Sequence, residues 1–126
     1  HTGEDLFLYA FGPNKPTGLI ENTDLALAQA SALGFELNMI DKKLFLDAGK
    51  AFAAIGAKAS LDKSDAMNPV LDVQKGVQRA ELPISKNIIK LGGKSFEVNG
   101  LTVLAAKTGK VYVPQQAVDI LAAALQ

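Results

Sequence analysis

The chain has 126 residues, 48% of them apolar and 21% charged, and its thirteen basic residues balance thirteen acidic ones. That length is about one domain with a real core, and a zero net charge provides no field to draw it to nucleic acid or anionic lipid. Without cysteine neither a disulfide framework nor a thiolate metal site can exist, and no window approaches the roughly 18 uninterrupted apolar residues of a membrane span.

The chain opens on His1 without an initiator Met, which suggests either a remnant of an expression tag or a processed product, for which a removed signal peptide is the simplest cause. Asp5-Leu6-Phe7-Leu8-Tyr9-Ala10-Phe11 follows, almost continuously apolar and rich in β-formers. A strand of that composition wants cover on both faces. Gly12-Pro13-Asn14-Lys15-Pro16-Thr17-Gly18 is the strongest breaker run in the chain. Its two prolines predict an extended, stiff spacer of roughly 20 Å. Residues 1–18 are thus expected to be separable from a body at 19–126.

Asn22-Thr23-Asp24 reads as a helix cap, with Leu25, Ala28, Ala32 and Leu33 at helical spacing and Gly34 as the stop. Phe35–Ile40 alternates apolar and polar residues and predicts a strand. Asp41-Lys42 then turns into Leu44–Leu46, and Asp47 caps a helix carrying Ala48, Ala51, Phe52 and Ile55, closed by Gly56. Ala57–Leu61 reads as a strand and Asp62–Pro69 as a polar loop. Val70–Gln74 and Val77–Glu81 flank Lys75-Gly76 as a hairpin, and Asn87–Leu91 and Ser95–Val98 flank Gly92-Gly93-Lys94 as a second. Asn99-Gly100 is the strongest turn dipeptide, with Leu101–Leu104 expected to continue the meander. Thr108-Gly109 turns into Val111–Val113, and Pro114 opens a helix with Ala117, Val118, Leu121 and Leu125 on its inner face. The expected class is α+β: short antiparallel strands in a meander with two or three short helices.

Two segments echo each other. Lys43-Leu44-Phe45-Leu46-Asp47 and Lys110-Val111-Tyr112-Val113-Pro114 each place an aromatic at the centre of an apolar strand that ends on a helix starter. A helix follows in both, so the chain carries two pseudo-repeated strand–helix units. Repeats of this kind reproduce a packing unit and no chemistry.

From Lys43 to Leu125 the chain resembles the stalk-type copper amine oxidase N-terminal-like domain. The resemblance is carried by Val111-Tyr112-Val113-Pro114 with its helix, by Ile55-Gly56-Ala57-Lys58, and by Phe96-Glu97-Val98-Asn99-Gly100. Asp47 departs from it, standing where the first unit would carry proline, as does Gln115-Gln116 in place of Leu-Arg. The resemblance implies a secreted or cell-surface bacterial module that spaces or assembles other components. It does not imply copper: an amine oxidase centre needs several imidazoles, and this chain has one histidine.

Candidate chemical sites are thin. His1 could chelate copper through its α-amine and imidazole but lacks a second imidazole. Asp62, Asp65 and Asn68 share a loop with hard oxygens but lack the glycine and glutamate of an EF-hand. Ser60, Ser64 and Ser85 have no histidine partner except His1. With no tryptophan and two tyrosines, sugar-binding platforms are few, and Gly92-Gly93-Lys94 opens no helix as a phosphate loop must. Lys86, Lys90 and Lys94 are expected to solvate one strand face. No catalytic residue, metal or cofactor is assigned.

The sharper clue is Leu6, Phe7, Leu8, Tyr9, Ala10 and Phe11. A terminal apolar strand on a spacer can complete a neighbour's sheet, and head-to-tail contacts that do not close propagate into fibres. Burying its larger side chains, at roughly 1.5–3 kcal/mol each, would hold a homopolymer firmly. The expectation is a non-enzymatic structural subunit of an extracellular filament. The alternative is a spacer or a module that binds a cell-wall polymer through exposed Tyr9 or Tyr112.

Overall fold

The computed structural model describes residues 6–125. It divides into two compact units, one ending at Asn38 and one beginning at Met39. The class is α+β, with four helices and two antiparallel sheets of three and five strands among the described residues.

The first unit holds α1 (Asp24–Ala32) and the start of α2 (Leu37–Leu44). Thr23 stands at the N-cap of α1, but its side chain makes no capping bond; the Asp24 carboxylate accepts from the Glu21 N–H instead. Gly34, at φ 80°, stops the helix. Its N–H donates to the Ser31 carbonyl and that of Phe35 to Ala30, the paired bonds of a Schellman motif. The expected inner face does not form. Leu33 and Ala32 are exposed, Leu25 and Ala28 are half-buried, and Ala30 is the one buried apolar residue described before Met39.

The strand expected at Phe35–Ile40 is a helix. Leu37, Ile40 and Leu44 are the half-buried positions of α2, at helical spacing, while Phe35 and Met39 stay exposed. Over six residues an alternating pattern also satisfies the first turns of an amphipathic helix. The expected Asp41-Lys42 turn lies inside that helix.

The second unit continues with β1 (Leu46–Asp47), α3 (Ala48–Ala54), β2 (Lys58–Asp62), β3 (Val70–Lys75), β4 (Gln78–Pro83), β5 (Ile88–Leu91), β6 (Lys94–Glu97), β7 (Val103–Ala105), β8 (Lys110–Val113) and α4 (Gln115–Ala124). Asp47 caps α3 by accepting from the Lys50 N–H at 3.2 Å. A second Schellman pair closes that helix, Gly56 N–H to Ala53 and Ala57 N–H to Phe52, with Gly56 at φ 74°. The motif seats Ala57 and Phe52 in the core together.

β2 to β6 form a meander in chain order. Register places Ala59, Leu61, Leu71, Val73, Leu82, Ala80 and Ile89 on one face. Ser60, Asp72, Glu81 and Lys90 run across the other. The β5–β6 hairpin turns on Gly92 and Gly93 at φ 56° and 78°, the positive pair that a type I′ turn demands.

The meander does not continue past Glu97. At Asn99-Gly100 the chain leaves for the second sheet, ordered β1-β8-β7. Gly100 sits at φ 124°, and the Asn99 N–H donates to the Gln116 Oε1 of α4 at 2.7 Å. The departing strand stays tied to the first sheet, because the Ser85 N–H bonds the Thr102 carbonyl and the Thr102 N–H bonds Lys86. In the second sheet Leu46 faces Val113 and Asp47 faces Tyr112, so the two repeats pair with each other. Pro114 has no N–H to extend that ladder and opens α4 as its N-cap. α3, α4 and both sheets share one core around Phe52, Leu82, Ile89, Val113, Leu121 and Leu125.

Candidate functional site

Leu6–Phe11 is not a strand in this structure. It pairs with no edge, and a strand without ladder partners leaves its backbone bonds to solvent. Composition marks such a segment as fit for a sheet but cannot supply the edge it needs. The side chains of Leu6, Phe7, Leu8, Tyr9 and Phe11 are all more than half exposed, and four of the five exceed 90%. Ala10 is exposed with them.

The spacer also differs from the extended rod expected of it. Gly12, Asn14 and Gly18 take φ of 116°, 56° and 78°, so left-handed residues interrupt any polyproline run. The chain bends back and Leu6, Phe7 and Leu8 line a shallow groove with Pro16, Leu19 and Ile20. Leu19 is itself exposed.

On the outer face of the five-stranded sheet, Arg79 is bound between two carboxylates. Arg79 donates two hydrogen bonds to the Asp72 carboxylate, at 2.9 and 2.8 Å, and approaches Glu81 at 3.9 Å. Asp72 and Glu81 stand directly opposite each other, so the guanidinium offsets their repulsion. The bonds it donates to Asp72 raise the Arg79 pKa.

The remaining candidates serve their own loops. Asp62 accepts from the Ser64 N–H, which holds its carboxyl below the usual range. Asp65 accepts from the Asn68 side chain and from the Met67 and Asn68 N–H groups, and its pKa is lowered chiefly by Asn68. Lys90 and Lys94 do not share a face: Lys90 lies opposite Ser95 and Lys94 opposite Leu91, because the intervening hairpin reverses the parity. Tyr112 is half-buried between Asp47 and Val103 on neighbouring strands, whereas Tyr9 is exposed. The copper reading of His1 lies outside the described residues. Among those described, no helix is long and apolar enough to cross a membrane. No group of three metal-liganding side chains occurs there either.

No family model, curated protein or solved structure matches the chain.

Proposed function

We propose that this chain is a non-enzymatic structural subunit of an extracellular filament or surface assembly, whose copies join by exchange of the N-terminal segment Leu6–Phe11. One observation carries the reading: six consecutive uncharged residues, five of them large and apolar or aromatic, lie exposed and unpaired. Such a segment gains little in a lone copy and gains both ladder bonds and apolar burial on a neighbour's sheet edge. Donation in one direction gives a head-to-tail contact, which grows as a fibre where it does not close. Zero net charge sets no repulsion against that growth. The stalk-domain resemblance supports the extracellular setting.

A spacer or cell-wall-binding module is the second reading. It is favoured by the unit beginning at Met39, which buries a core of its own without Leu6–Phe11.

Sedimentation and negative-stain microscopy of the full chain separate the two. The assembly reading expects concentration-dependent oligomers or filaments, abolished by the double variant Phe7→Asp, Tyr9→Asp. A wild-type chain that stays monomeric at high concentration overturns it. The spacer reading then expects cell-wall pull-down that weakens in Tyr9→Ala.

A further inference from the structure

We propose that the acceptor for Leu6–Phe11 is the free edge of β2 in a second copy, where the donated segment adds a strand beside Lys58–Asp62. The inference rests on the assembly reading and names the surface it uses.

The second unit has four strands with one unpaired side: β1, β7, β2 and β6. β1 is two residues long and β7 three, too short to hold a six-residue partner. β6 is one residue shorter than β2 and exposed at all four positions, so no half-buried face lies beside that edge to receive a donated side chain. β2 is the longest of the four at five residues. Its charges, Lys58 and Asp62, stand only at the two ends, leaving Ala59-Ser60-Leu61 open between them.

Beside that edge the structure leaves a cleft of about 210 Å3 between β2 and β8, walled by Ala59, Leu61, Leu71 and Val111 and lined as well by the Asp47–Lys110 ion pair. A strand laid along β2 sends alternate side chains toward it, because successive residues point to opposite faces. Leu6–Phe11 is apolar on both parities, so either registration presents an apolar side chain to the cleft. β2 is laddered on one side only, to β3, and Leu6–Phe11 belongs to no described strand, so each has backbone groups left to pair. A second copy brings both halves of the contact.

The absence of native cysteine makes the test clean. Full chains carrying Ala10→Cys or Tyr9→Cys, one from each face of the segment, are mixed with full chains carrying Ser60→Cys on β2 or Ser95→Cys on β6. All four are exposed positions, and circular dichroism checks that each variant folds. Mild oxidation is expected to shift the Ser60→Cys mixtures to a two-chain disulfide species and to leave the Ser95→Cys mixtures single. Cross-linking to Ser95→Cys alone overturns the β2 acceptor while keeping exchange. No cross-link to either, with wild-type filaments still forming, also overturns it. No cross-link with a strictly monomeric wild type removes the assembly reading as well. A doubly substituted Ala10→Cys, Ser60→Cys chain that closes an internal bridge at high dilution overturns the second copy as donor.

Discussion

Leu46 and Val113, the fourth residues of the two sequence repeats, face each other across β1 and β8. Equivalent residues that pair in an antiparallel ladder mark a local two-fold relationship, confined to these strand ends: Leu44, expected to open the first strand, closes α2, whereas its counterpart Val111 lies in β8. The next residues, Asp47 and Pro114, start helices by different means. Asp47 accepts the Lys50 N–H, while Pro114 brings a preset φ and no side-chain bond.

Asp47→Ala removes the cap of α3 and is expected to lower stability by about 1 kcal/mol, within the usual range for a lost cap. The bond from Lys50 N–H, with Lys110 at 3.6 Å as a smaller contributor, lowers the Asp47 pKa below 3.8. The unfolded chain therefore binds the proton more readily than the folded one. The contribution is complete above about pH 5 and fades as pH falls through the folded value. Urea titrations should find wild type and variant furthest apart near neutrality and converging in acid.

Gly100→Ala should destabilise by more than about 1 kcal/mol. The site has φ 124°, and an added Cβ would lie 3.0 Å from the Pro114 Cβ and 3.2 Å from the Leu44 Cδ2. Thermal denaturation reads the loss, and a melting temperature equal to wild type would show that the crossing can shift.

Gln78 carries a buried Oε1 with no hydrogen-bond partner. Gln78→Met keeps the chain length and deletes the orphaned acceptor, so a gain of about 1 kcal/mol is expected. Loss of stability on denaturant titration would mean that the amide serves a partner.

Phe52→Ala should cost about 3–5 kcal/mol, because Phe52 is fully buried between the repeats and the first sheet. Leu33→Ala, at an exposed site before Met39, should stay within about 0.5 kcal/mol. Equal effects in calorimetry would contradict the contrast between the two units.

Much of the second unit could be read from local chemistry. Gly92-Gly93 announces its turn, Asp47 its cap, and Ala117, Val118, Leu121 and Leu125 their shared buried face. The misreadings have physical causes. Leu37, Ile40 and Leu44 fit a helix as well as part of a strand, and nothing within six residues breaks the tie. The exit at Gly100 depends on Gln116 and Pro114, both distant in sequence. Leu6–Phe11 has the composition of a strand, but an edge to pair with is a property of the surroundings.

The clasp between β1 and β8 joins segments from near the two ends of the second unit, whereas β2 to β6 pair with sequence neighbours. Closing so long a loop spends chain entropy before any contact rewards it. The meander is therefore expected to organise early and the clasp to seal late. Leu46→Ala should then quicken unfolding in stopped-flow experiments while leaving the refolding rate nearly unchanged.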